Sequence, residues 1–522
     1  MLATHTARTA RCGMRRLLIP TLCAMLPHTA MSAGEADFRA GIDRYRLSHE
    51  SQIVGTLDEL THFPSVAADP AGIRAAADYL LSALKTRGFD ARLLSAGPGT
   101  PPMVYGALGN SRTMRTVVFY AHYDGQPVTP SQWHSDPFVP VMREAAPGAE
   151  WRDIDWRHAH GPFDPEWRLF GRAASDDKAS IVAFLAAFDA LRAQKRRPSV
   201  NIRVAWEGEE EAGSPHLAQI LEQNHALLKS DVWLIGDGPV HQSGKPMIYF
   251  GARGVMGLRL TLYGPVKALH DGHYGNWVPN PAAMAAELIA QMRDDQGNVL
   301  IPGFADGVRE LNAAELAALA ALPPIDEALR LEFGIARSEG TQAWAASIMR
   351  PALNVRGIRS GQVGDEAANA IPIAAQVSLD FRLVPDQTTA GVQQSVERFL
   401  RQQGWTLLDQ PPDAATRLRA PSIARLEWEP GYPGLRSDMS SPVAQAIIAT
   451  ASRSTDVPVA VLPMMGGSVP LYLFAQRFNV AVIGLPIVNH DNNQHAANEN
   501  LRLKNLWDGI DTYAGMIAQL HW

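Results

Sequence analysis

Cysteine is nearly absent from this chain of 522 residues: there are two, Cys12 and Cys23. Both fall in the first 33 residues, so a chain trimmed there could form no disulfide and no thiolate metal site. Excess positive charge is missing too. With 47 Lys and Arg against 53 Asp and Glu, the formal net charge is −6, and counterion release by a basic face, the main term in nucleic-acid binding, is not on offer. Long apolar runs are also lacking. The run Leu17–Leu26 contains Pro20 and is half the roughly twenty residues a spanning helix needs. No period of about 20–50 residues repeats, which excludes a solenoid or propeller. The 42 Gly and 37 Pro stay below the level that marks low complexity.

What is there first is a leader. Arg8, Arg11, Arg15 and Arg16 precede the apolar run, and Ala30-Met31-Ser32-Ala33 offers small residues for cleavage, the pattern of a secretory signal peptide over residues 1–33. A periplasmic or secreted enzyme is the expectation, with no membrane span once the leader is gone. Lipidation at Cys23 is the alternative, though Leu22 is a poor fit to the small residue that signal wants. Losing four arginines and no acid would make the remainder more negative still, a balance suited to collecting cations.

The rest has the length for about two to four domains. Short β-rich runs at Thr116–Tyr120, Asn201–Trp206, Asp231–Ile235 and Val480–Ile483 read as strands. Ser180–Leu191 has helical apolar spacing and ends at a basic stop before Pro198. Alternation of this kind is the grammar of an α/β domain. A second region begins near Arg253, with strands expected at Val255–Tyr263 and Ala374–Leu383 and helices at Pro281–Met292 and Val392–Gln402. It reads as a smaller domain, residues 253–432, inserted into a larger one made of 34–252 and 433–522. Leu311–Glu339 should be helical decoration, Pro411–Arg436 the return linker, and Trp133–Trp167 a long loop near the active face, able to line a pocket or simply pack on the surface.

Polar residues follow the expected strands. The first leads into His122-Tyr123-Asp124, the second into Glu207 and Glu209-Glu210-Glu211, the third into Asp237, and the fourth into His490-Asp491 and His495. Ligands of open α/β sheets bind outside the carboxyl ends of the strands. Each element alone has an ordinary reading: a hydrogen-bonded His–Asp pair, a solvated acidic loop, a turn residue at Asp237, a helix cap at His495. Ser175 or Asp176 could likewise cap the helix that follows, which leaves the second acid, Asp177, without a task. What the ordinary readings leave unexplained is the placement of all of them at sheet ends. Two imidazoles, several carboxylates and no thiolate suit zinc, with manganese or cobalt as substitutes. If one carboxylate bridges two metals, a spare carboxylate has a task as general base.

The ordered set His122-Tyr123-Asp124, Trp133–Phe138, Ser175–Lys178, Glu210–Ser214, Asp237, Leu269–Gly272, Gly466–Pro470 and His495 resembles the dizinc metallopeptidase family of carnosinases, aminoacylases, glutamate carboxypeptidases and succinyl-diaminopimelate desuccinylase, the carnosinase-like branch above all. The resemblance implies a mixed-sheet α/β catalytic domain with helices on both faces and an inserted α+β lid and dimerisation domain. It implies two Zn²⁺ per chain, one on His122, Asp176 and Asp237, the other on Asp176, Glu211 and His495. By the same likeness Asp124 orients His122, Glu210 moves the proton, and His270 reaches the partner subunit's active site in a homodimer to stabilise the oxyanion. Asn280, Arg382, Gly467 and Ser468 match substrate-binding positions. The pattern is broken in places. Ala173 and Ala179 stand where Gly is usual, and Met464-Met465 where that branch tends to carry Arg-Glu, which implies a more apolar substrate end. The implied function is hydrolysis of the amide bond of a dipeptide or small peptide. The alternatives are an N-acyl amino acid amidohydrolase with an apolar acyl pocket and, outside the enzyme class, an inactive peptide-binding module.

Overall fold

The computed structural model describes residues 33–146, 150–159 and 161–522. Apart from Ala33, where the first helix starts, the leader expected over residues 1–33 lies outside the described residues.

An eight-stranded mixed sheet organises the larger part of the chain. Its strands run in the order Asp90–Leu94, Met103–Leu108, Asn201–Glu207, Thr116–His122, Val232–Ile235, Ala481–Gly484, Met247–Tyr249 and Ala460–Leu462. The four strands expected from sequence are its centre, and they are mutually parallel. Both faces are covered, so these strands are apolar on both sides rather than alternating with polar residues. Val117, Phe119 and Ala121 belong to one core with the helices Ala33–Thr61, Lys178–Ala193 and Leu503–Gln519. Val118 and Tyr120, pointing the other way, join a second core with Trp233 and Phe474.

A five-stranded sheet, in the order Ala352–Arg359, Ala374–Leu383, Gly254–Tyr263, Ile423–Trp428 and Thr406–Leu408, lies wholly between the two sequence segments that build the first. The helices Pro281–Met292 and Thr389–Gln402 cover it through Ala285, Leu288, Val392, Val396 and Phe399. Leu311–Glu339 holds short helices, Ala313–Ala320 and Asp326–Glu332. No described helix is long and apolar enough to cross a membrane.

Two expectations are corrected. Pro411–Arg436 is no linker: it contains a helix, Ala414–Arg419, and the strand Ile423–Trp428, antiparallel to Gly254–Tyr263. Its prolines and arginines flank Ile423 and Ala424, whose burial against the sheet outweighs the surrounding polarity. Trp133–Trp167 is no irregular loop either. Val141–Ala146 and Glu150–Asp153 pair in a four-stranded sheet with Arg168–Phe170 and Asn500–Arg502, and the tryptophans are spent on packing. Trp156 is buried, Arg172 stacks over Trp133, and Arg168 stacks over Trp151.

Candidate metal centre

Because the central strands are parallel, their carboxyl ends share one edge, and each exits into a loop that carries a polar group. His122 is the last residue of its strand. Asp237 lies two residues beyond Ile235, with Tyr249 Oη donating to its carbonyl at 2.8 Å. Glu210 and Glu211 open a single 3-10 turn after Asn201–Glu207. His495 follows Ala481–Gly484 by a longer loop and takes a left-handed backbone, φ 61°.

These side chains converge. One ligand atom from each of His122, Asp176 and Asp237 lies within 4.8 Å of the others, and so does one from each of Asp176, Glu211 and His495. Asp176 is common to both groups: its Oδ1 is 3.0 Å from His122 Nε2, and its Oδ2 is 3.1 Å from His495 Nε2. Glu211 Oε2 lies 3.2 Å from His495 Nε2 and accepts from Gln126 Nε2 at 2.8 Å.

Asp124 joins the pieces from behind. Its Oδ1 is 3.4 Å from His122 Nδ1, and its two oxygens accept from the backbone N–H groups of Glu210 at 3.1 Å and Glu211 at 3.0 Å. One buried carboxylate thus fixes both the imidazole and the turn bearing the two glutamates. The acidic run is therefore not a solvated loop. Glu209 is buried and tied to His216, Glu211 faces His495, and Glu210 is left with no described hydrogen-bond partner for its carboxylate.

The loop bearing Asp176 is held by Glu499, a residue whose importance nothing in the sequence signals. Its carboxylate accepts from the N–H of Ala173, Ser175 and Asp176, from Ser175 Oγ, and from Arg172 Nη1. Its partners are mostly backbone groups, which leave no mark in residue types. Neither Ser175 nor Asp176 caps the next helix. The N-cap is Asp177, whose side chain makes no capping bond and is buried.

Five carboxylates and two imidazoles in one cleft are electrostatically strained without a cation. Burial, then the charge on Asp176, pushes Asp237 up to about 7. Burial also lifts Glu210 well above the carboxylate range, with His122 opposing and Asp237 and Glu211 adding to the rise. Burial would raise Asp176 as well, but hydrogen bonds and charge from His122 and His495 hold it far below its ordinary value. His495 is raised to about 10 by Asp176 and Glu211. Repulsion among the acids is what a divalent cation relieves. The donor set, hard oxygen with borderline nitrogen, suits zinc, manganese or cobalt, and the two oxygens of the buried Asp176 face one imidazole each, His122 and His495.

A cavity of about 510 Å³ opens over this cluster, and Asp176, Glu210, Asp237 and His495 line it together with Gly467 and Ser468. Arg382 reaches it indirectly, donating from Nη1 to Ser468 Oγ at 2.9 Å and from Nε to Asp380 at 2.8 Å. Two expected site residues lie apart. Asn280 caps the helix Pro281–Met292 through Ala282 N–H, and His270 is exposed on a two-stranded ribbon, its Nδ1 accepting from Gly272 N–H; neither lines the cavity. No tryptophan of Trp133–Trp167 lines it either. Trp344 and Ile348 do, as does Arg253, a buried guanidinium lowered to about 10 by burial and by Arg382. Sequence reading found none of these three: Trp344 and Ile348 lie more than a hundred residues from any metal-ligand motif, and Arg253, close to Asp237 in the chain, belongs to no motif.

A parallel-centred α/β sheet with two ligand triads sharing one aspartate defines the class of a metallohydrolase. Residues 118–519 match the model for Peptidase family M20/M25/M40, and the chain belongs to that family. The Cys-Gly metallodipeptidase dug1 of Schizosaccharomyces pombe is 26% identical over 80% of this chain and 83% of its own. The human Beta-Ala-His dipeptidase is 24% identical over 81% of this chain and 78% of its own. Among solved structures, the M20 family metallo-carboxypeptidase Sso-CP2 from Sulfolobus solfataricus superposes with a TM-score of 0.71 at 27% identity, covering 89% of this chain and 98% of that one.

Proposed function

We propose that this chain hydrolyses the amide bond of a dipeptide or similar small peptide, using two zinc ions held by His122, Asp176 and Asp237 and by Asp176, Glu211 and His495. The observation that carries the reading is the shared Asp176 beside Glu210, whose carboxylate is free, in one cavity. Likeness to two proteins named as dipeptidases supports the substrate class. When bound, a pair of divalent cations supplies Lewis acidity towards a carbonyl oxygen and makes a water acidic enough to attack near neutral pH. Glu210 takes a proton from the attacking water at a carboxylate oxygen. As the C–O bond forms and the C–N bond breaks, it delivers that proton to the leaving nitrogen. Asp124 keeps His122 and the Glu210 turn in register. Ser468, with Arg382 behind it and Gly467 beside it, receives the substrate's carboxylate.

His270 acts from the partner subunit of a homodimer, as the family likeness implies. Its exposure, and the exposed apolar residues Trp277 and Val363 of the same region, support that assembly. The leader over residues 1–33 supports a periplasmic or secreted location. The experiment is metal analysis of the purified chain coupled to a panel of dipeptides and N-acyl amino acids, with light scattering for the dimer. About two zinc ions per chain and chelator-sensitive dipeptide cleavage are expected. A chain that binds no metal and cleaves no amide would be a peptide-binding module instead.

A further inference from the structure

Glu210 lines the cavity with no described hydrogen bond on its carboxylate, so the direction of that group is set by the backbone that bears it. The backbone is a closed loop, residues 209–216, at the exit of the strand Asn201–Glu207. Glu209 closes it twice. Its carbonyl accepts from the N–H groups of Ala212 at 3.2 Å and Ser214 at 3.1 Å, and its carboxylate accepts from His216 N–H at 2.9 Å. The His216 ring strengthens the second closure, with Nδ1 2.9 Å from Glu209 Oε2 and 3.0 Å from Oε1. A carboxylate only accepts, so Nδ1 bears the proton and donates. The chain turns back between the two closures at Gly213, φ 84°, and Ser214, φ 53°. Glu209 is 3% exposed, and a carboxylate so buried is costly unless it is hydrogen-bonded.

From this arrangement we infer that Glu209 and His216 are positioning residues, which aim the Glu210 carboxylate by tying its turn to the helix Leu217–Gln223. The inference rests on the reading of Glu210 as the proton carrier. Asp124 already holds the turn through the N–H groups of Glu210 and Glu211, but two bonds to one carboxylate leave the turn able to roll about it. The Glu209–His216 closure removes that freedom. The helix it reaches is fixed, because Leu217, Ile220 and Leu221 are buried in the second core with Trp233 and Phe474. A base with no partner of its own depends on such ties, since an error of about 1 Å in placing a reacting group can cost about a hundredfold in rate.

The test compares Glu209→Leu, His216→Leu and His216→Asn with the wild type, all as the full zinc-loaded chain, in turnover of leucyl-alanine and in hydrogen exchange. Glu209→Leu should lower kcat about tenfold to a hundredfold, with KM and zinc content unchanged. His216→Leu should lower kcat less, because the backbone N–H at that position still donates. Asparagine places Nδ2 where the imidazole has Nδ1, so His216→Asn should keep most of kcat. The N–H groups of Glu210 and Glu211 should exchange at least about tenfold faster in Glu209→Leu. In a Glu210→Gln chain the same change should alter turnover less than about twofold, since residues that act as a unit are not additive. An unchanged kcat in Glu209→Leu overturns the inference, as does a loss of equal size in the Glu210→Gln chain or a fall in zinc content in place of kcat. If Glu210→Gln keeps full turnover, or the wild type cleaves no dipeptide, the proton-carrier reading fails and exchange alone decides: faster exchange keeps the tether, and unchanged exchange sinks it. Should Glu209→Leu not fold, the His216 variants decide, and equal kcat in His216→Leu and His216→Asn overturns the inference.

Discussion

The eight-stranded and five-stranded regions are built from the same kind of strand but treat charge oppositely, and left-handed non-glycine residues gather mainly around the first, with Asn276 and Asp386 in the second. Around the first sheet, ionisable groups are buried in numbers: His122, Asp124, Asp176, Asp177, Lys178, Glu207, Glu209 and Glu499 are all nearly inaccessible. Several non-glycine residues near the site take left-handed backbones, among them Ala173, Ser214, Asn493, His495 and Asn498. Around the second sheet the core is hydrocarbon, with Leu258, Leu260, Leu379 and Phe381 at its centre, and the polar residues mostly face water. Strain and buried charge gather where chemistry is to be done and must be over-determined by their surroundings. The inserted region, free of that demand, is an ordinary amphipathic sheet with two covering helices.

The sharpest way to break this contrast is to remove one acid from each role at the site. Glu210→Gln should cut turnover by about two to four orders of magnitude while metal content stays near that of the wild type. Asp176→Asn should abolish turnover by losing metal. Retained turnover in the first, or full metal occupancy in the second, would erase the distinction between a proton carrier and a shared ligand. In the inserted sheet the corresponding change is purely one of packing. Phe381→Ala should cost about 3–5 kcal/mol in chemical denaturation, with metal binding intact whenever the chain is folded.

A half-buried acid, Asp511, also predicts a pH dependence away from the metal centre. Burial, then the charge of Asp43, raises Asp511 from an ordinary carboxylate to about 8. A carboxyl whose pKa is raised on folding binds more protons in the native state than in the unfolded chain between about pH 4 and 8, so stability falls as pH rises through that window, by at most about 1.4 kcal/mol per unit. Thermal melts of Asp511→Asn should show that slope flattened, and an unchanged slope would relocate the effect. The smallest effects are local. Ala173, at φ 62°, occupies a conformation that costs an L-residue about 1 kcal/mol or more. Ala173→Gly should therefore stabilise the eight-stranded region slightly. Asn280→Ala should cost the inserted region about 1 kcal/mol through its lost helix cap.

Much of this was legible in one dimension. The four central strands and the helix Pro281–Met292 follow from apolar runs and from Asn-Pro at a helix start. Polar residues stationed after those runs showed that several ligand types would meet at one sheet edge, while the two ligand triads, with Asp176 shared, were implied by the family likeness. The Pro411–Arg436 segment misled because its strand is short and set among turn formers, and the tryptophans of Trp133–Trp167 misled because aromatic density does not say which way a ring faces.

Composition and spacing by themselves determined the absence of cysteine beyond Cys23, the alternation of strand and helix, and the residue types able to hold cations, since those depend on local pattern and on which groups stand at strand ends. Only the tertiary structure decided that Glu499 would clamp the Asp176 loop, that Asp124 would serve His122 and the glutamate turn together, and that Trp344, Ile348 and Arg253 would wall the cavity. Contacts of that kind join segments far apart in the chain, often through backbone N–H groups that every residue possesses, and so they leave nothing for sequence to display.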